Sequence, residues 1–261
     1  MIPLINNSDA LVPHVTVFIL VMTRIGSLFI TAPMLNAKTI PVRIRVATCI
    51  LVSLAVFVSL PSSQVPPLDA IMLTLAVLGE VCVGAAAGLS AQLIFAAVDG
   101  GGRLLGIPMG MGFSQAIDPL TGSNSLVIAR FFGVLVMLLF IVMDIHHTLL
   151  RLVARSFAVL PPGHVLPSPA AAQTLLKNAS LVFVGSVQLA APVLLVLLGV
   201  MVAIGLLAKI APKVNLFVLS FAISIALGLV ALRAAIPAEA AWIREALMRI
   251  EPMAIQAIEG F

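Results

Sequence analysis

Charge is what this sequence has least of. Only 9% of its 261 residues are Asp, Glu, Lys or Arg, against 62% apolar, and the mean hydropathy is +1.23. A soluble globular chain is about 25% charged and about 45–50% apolar. This one has too few polar side chains to clothe a surface facing water, so the expectation is an all-α membrane protein. A basic tract is missing too. The fourteen Lys and Arg give a net charge of +4 but are scattered, which argues against a nucleic-acid partner. Cysteine is nearly absent: Cys49 and Cys82 both sit inside apolar segments and read as buried thiols with no redox or metal role. The N-terminal stretch "MIPLINNSDALVPHVTVF" has no basic region ahead of its apolar run, unlike a cleaved signal peptide. No His-Glu-x-x-His, P-loop, Cys-x-x-Cys or locally spaced Ser/His/Asp set occurs, so no enzyme, metal or cofactor is expected.

What is there is hydrophobic helix. Apolar runs predict helices at Val12–Ala37, Val42–Leu60, Leu68–Val98, Val127–Leu149, Leu181–Leu207 and Val214–Ile236, separated by Pro/Ser/Gly clusters such as "PSSQVPP" and "PPGHVLPSP". A C-terminal amphipathic helix is expected over Ala238–Glu251. The charges interrupt these runs awkwardly. Crossing hydrocarbon takes about 20 apolar residues, yet only thirteen uncharged residues separate Arg130 from Asp144. Arg24 splits the first run into fourteen and thirteen, and Glu80 follows Asp69 by ten uncharged residues. With the N-terminus outside, the basic loop residues divide six against six, so the positive-inside rule decides nothing.

Charges at membrane depth face protein or water and pair with something. For Glu80 the candidate partners are Arg24, Arg130 and the Arg103 region. Gly84 and Gly88, just beyond it, form a small-xxx-small surface for close helix packing, expected against another helix of this chain or of another subunit. Asp144 and His147 are three apart and within hydrogen-bonding reach at a helix end. His146 and His147 diverge by about 100° on a helix, which argues against a shared metal.

Between the helices lies "GIPMGMGFSQAIDPLTGSNS", residues 106–125. Gly100, Gly101 and Gly102 are costly in a helix, and Pro108 removes a backbone donor. The helix is therefore expected to stop before residue 99. Asp118 and Pro119 read as a turn. Two readings of this loop stand: a deformable apolar stopper built on Met109, Met111 and Phe113 with flexible Gly110 and Gly112, or a surface loop packed on the helices beneath.

Residues 112–147, "GFSQAIDPLTGSNSLVIARFFGVLVMLLFIVMDIHH", resemble the central signature of the FliR family of type III export gates. Residues 191–229 and 33–54 are similar to two further blocks of that family. Nothing is carried over to the first ten residues or to residues 160–178. The resemblance implies a non-enzymatic subunit of the flagellar export gate in the bacterial inner membrane, with relatives in virulence systems. It implies assembly with FliP and FliQ, contact with FlhA and FlhB, and passage of unfolded proteins. Residues 1–180 would be FliP-like helices and residues 181–261 a FliQ-like hairpin with its C-terminal helix. The loop over 106–125 would plug the closed channel, held by the Asp118–Pro119 turn. Arg24, Glu80, Gly84, Gly88, Arg130, Asp144 and His147 are expected as buried charges or subunit-packing positions. The alternative is a secondary transporter or small-molecule channel with a broken helix and a coupling ion at Glu80 or Asp144, but no counterpart to residues 106–125 recurs after residue 180, as repeats in transporters would require.

Overall fold

The computed structural model describes residues 7–36, 40–60, 69–111, 127–165, 168–210 and 216–261. Its elements there are all helical: α1 (Asn7–Thr31), α2 (Val42–Ser59), α3 (Ala70–Gly106), α4 (Val127–Val142), α5 (Ile145–Val159), α6 (Pro169–Ile210), α7 (Leu216–Met248) and α8 (Ile250–Glu259). Among the described residues five stretches are long and apolar enough to cross a membrane, six if α4 and α5 make one broken span. α2 buries only Ser53 and exposes Val42, Leu51 and Val58. In a chain so short of charge, such a face belongs against lipid or another apolar protein.

The chain gathers into two compact units. One comprises residues 1–92, 144–178 and 249–261; the other comprises residues 93–143 and 179–248. In the first unit, Leu20, Val21 and Leu28 of α1 are buried, as are Val83 and Ala87 of α3 and Leu149 and Val153 of α5. Ile250, Met253, Ala254, Ala257 and Ile258 of α8 are also buried, a spacing that gives α8 one apolar stripe. In the second unit the core is Phe132, Val136 and Phe140 of α4 with Leu189, Val193 and Leu197 of α6 and Ile243 and Leu247 of α7.

Four sequence expectations need correction. First, α3 does not stop before residue 99 but runs to Gly106, straight through the three glycines. The entropic cost is offset by fit: a Cβ on Gly100 would meet the Ser186 hydroxyl, one on Gly101 the Leu189 side chain, and one on Gly102 the backbone of Ala129. Second, the helix expected over Val127–Leu149 is broken at Asp144, which adopts the left-handed conformation at φ 54° and ψ 28°. Unbroken apolar periodicity hid the break, because Asp is one of the few non-glycine residues that visits this region. Third, α6 begins twelve residues before the predicted Leu181 and passes through Pro192. Fourth, α7 continues through Pro237 to Met248, so the amphipathic C-terminal helix is Ile250–Glu259 and not Ala238–Glu251.

Candidate functional site

The first unit is organised around a buried ion pair. Arg24 on α1 and Glu80 on α3 are both fully buried, with Arg24 Nε 2.5 Å from Glu80 Oε2. Removing two such charges from water costs several kcal/mol per ion, returned only when geometry and further hydrogen bonds satisfy the remaining donors and acceptors. Here they do. Arg24 Nη1 donates to Ser156 Oγ at 2.8 Å, and Nη2 donates to the Leu160 carbonyl at 3.0 Å. The guanidinium carbon sits 4.0 Å from the centroid of the Phe157 ring, a cation–π contact. The second Glu80 oxygen accepts the Gly163 N–H at 3.0 Å. Gly163 aims that N–H from φ +83°, a conformation glycine reaches without steric penalty. The pair thus ties α1, α3 and the end of α5 together with the turn that follows.

Gly84 and Gly88 lie one and two turns beyond Glu80, and the surface they press on is α1 of the same chain. A Cβ on Gly84 would collide with the Arg24 carbonyl oxygen and the Ser27 hydroxyl, and one on Gly88 with Thr31. This close approach brings the Arg24 and Glu80 stems together. Of the partners expected for Glu80 it is Arg24 that the fold supplies, and the chain by itself encloses both charges. Arg130, Asp144 and His147, expected as buried charges or subunit-packing positions, are exposed on the chain by itself. Arg130 lines a shallow apolar groove on α4 with Asp99, Val134, Met137 and Leu138, and the other two sit at the α4–α5 break.

The second unit holds the near end of the central loop. After Gly106 the chain makes the paired bonds of a Schellman stop: Met111 N–H to the Gly106 carbonyl at 3.1 Å, and Gly110 N–H to the Ile107 carbonyl at 3.0 Å. Gly110 takes φ +74° there, so it is the residue that ends a helix rather than a point of slack. Pro108 sits within this turn. Met109 is fully buried, its thioether filling the space that a side chain on Gly228 of α7 would need. Gly110 itself abuts the Phe221 ring. Gly112, Phe113, Asp118 and Pro119 lie outside the described residues.

Sequence reasoning missed Ser156, Phe157 and Gly163 around the ion pair, and Gly228 under Met109. It also missed Glu239 on α7, which is buried with no hydrogen-bond partner for either oxygen among the described residues. Asp144 and His147 do hydrogen-bond, at 3.1 Å. His146, however, does not diverge from them as helical geometry suggested: its ring lies 4.1 Å from that of His147. Asp144 lies outside the helix, so its carboxylate can turn toward both rings.

The sequence profile described as Bacterial export proteins, family 1, matches residues 15–250. The chain belongs to this family. The flagellar biosynthetic protein FliR of Escherichia coli K12 is 33% identical over 216 residues, covering 83% of this chain and 82% of that one. FliR of Pectobacterium carotovorum subsp. carotovorum is 33% identical over 231 residues, 88% of each. A further relative, the surface presentation of antigens protein SpaR of Salmonella typhimurium LT2, is 28% identical over 201 residues, 77% of this chain and 75% of its own. The chain is therefore a FliR-type component of flagellar protein export.

Proposed function

We propose that this chain is a pore subunit of the flagellar type III export gate in the bacterial inner membrane, assembled with FliP and FliQ, served by FlhA and FlhB, and conducting unfolded proteins. The observation that carries the reading is the export-family match over nearly the whole chain, joined to the anchored turn over residues 106–111 that opens the glycine- and methionine-rich sequence. In this reading Met109 pins the loop to α7, while Met111 and Phe113 form the deformable stopper and the Asp118–Pro119 turn holds the far side. An apolar constriction of this kind closes a pore by excluding water and yields to a bulky chain passing through. Glu80 is unsuited to bind a coupling ion, because Arg24 and Gly163 already engage both its oxygens, which weighs against a secondary transporter.

The test is twofold. Tagged chain drawn from membranes is expected to bring FliP-like and FliQ-like proteins with it. Deleting residues 110–113, or replacing Met109 and Met111 by Ala, is expected to let small ions leak across the membrane. A chain that is stable and complete alone overturns the assembly, and unchanged ion permeability removes the plug.

A further inference from the structure

We propose that Asp144, His146 and His147 form a binding site for a divalent transition-metal ion of the zinc class, held on the exposed break between α4 and α5. One donor atom from each of the three residues lies within 4.8 Å of the other two. Asp144 Oδ1 is 3.1 Å from His147 Nδ1 and 3.9 Å from His146 Nε2. Two donors each about 2.1 Å from a tetrahedral ion stand about 3.4 Å apart, so the observed separations bracket what an ion requires. Small side-chain rotations would bring all three donors onto it.

The donor set selects the ion. Two imidazole nitrogens with one carboxylate oxygen suit zinc, nickel, copper or iron, whereas magnesium and calcium take oxygen ligands. Three protein ligands leave further positions to water, and the cluster has room for it, since the side chains of Asp144 and His147 are 67% and 58% exposed. His146 is more enclosed, at 18%, and is the fixed member. The backbone contributes as well. Adjacent histidines on a regular helix cannot chelate together with a neighbouring acid, and it is the left-handed Asp144, with no capping bond from its own side chain, that places its carboxylate beside both rings. The positive end of the α5 dipole opposes a cation here, and the carboxylate supplies the offsetting charge.

The test uses the full chain purified with its co-assembled partners, stripped with a chelator and dialysed against micromolar Zn²⁺. One Zn²⁺ per chain is expected to be retained. Asp144→Asn, which still tolerates the left-handed backbone, and His147→Ala are each expected to weaken binding by about tenfold or more, since even residues that only orient ligands cost that much. His14→Ala and His164→Ala should leave it unchanged. Co²⁺ in place of Zn²⁺ is expected to give a visible absorption band that shifts in His146→Gln while the assembly stays intact. No retained ion, or an ion equally retained by Asp144→Asn and His147→Ala, overturns the proposal.

Discussion

Glu80 and Glu239 are buried to 0% and 1% exposure, one in each compact unit, yet their surroundings differ in kind. Glu80 has an arginine on one oxygen and a backbone N–H on the other. Both oxygens of Glu239 are without a hydrogen bond among the described residues. Burying a charge is costly unless it is paired and hydrogen-bonded, so the two positions should answer to mutation with opposite sign. The first unit uses its buried polar groups to fix which segments meet. The second relies on close backbone approach at Gly100, Gly101 and Gly102 and on the fit of Met109 into Gly228, and carries its glutamate as a liability.

The sharpest way to break this contrast is to unpair Glu80. Arg24→Met is expected to lower the stability of the detergent-solubilised chain by about 3–5 kcal/mol, read as a large fall in its thermal midpoint or as loss from the membrane. Arg24→Met combined with Glu80→Met should recover much of that loss, because the penalty comes from the orphaned charge and not from the absent attraction. If the double variant is as unstable as the single one, the Ser156, Leu160 and Gly163 contacts matter more than the pair.

That network shows where the sequence was legible. Apolar runs located the helices, and charge spacing singled out Arg24 and Glu80 as groups needing protein around them. Their pairing was among the options, but Ser156, Phe157 and Gly163 lie more than seventy residues beyond Glu80 in the chain, and no local pattern marks a partner that distant. The glycines misled because a penalty scale sees only backbone entropy: Gly100 to Gly102 stay helical since neighbouring atoms occupy the space their side chains would need. Asp144 misled in the opposite way, because an apolar periodicity can pass unbroken over a residue whose backbone turns left-handed. At the central loop, the Schellman stop was written in Gly110, although it read as flexibility until the carbonyl partners at Gly106 and Ile107 were visible.

A second comparison sets glycine against glycine. Replacing a helical Gly by Ala gains about 0.5–1 kcal/mol of backbone entropy. At Gly84 the added Cβ would strike the backbone carbonyl of Arg24, which cannot retreat without moving the ion pair. Gly84→Ala is therefore expected to be net destabilising by about 1–3 kcal/mol. At Gly228 the added Cβ would meet the flexible Met109 side chain, with Cε at 2.8 Å and Sδ at 3.1 Å. Gly228→Ala is expected to change the thermal midpoint little while displacing Met109, so its signature should be ion leakage from an otherwise stable assembly. Equal destabilisation at both positions would show that Met109 is held as rigidly as a backbone.

The effect expected at Glu239 is small, and it decides the comparison because its sign is reversed. Methionine has similar length, no charge to desolvate and enough flexibility to fill an irregular space. With no partner at either carboxylate oxygen among the described residues, Glu239→Met forfeits no observed hydrogen bond and relieves the desolvation of a polar group. A gain of about 1 kcal/mol is expected, measured as a raised thermal midpoint in detergent. Glu239→Gln should fall between the two, since the amide removes the charge but still leaves polar atoms buried. A fall in stability for Glu239→Met, comparable to that of Arg24→Met, would mean that the carboxylate has found a cationic or donor partner. The second unit would then be held by the same physics as the first, with its own counterpart to Arg24.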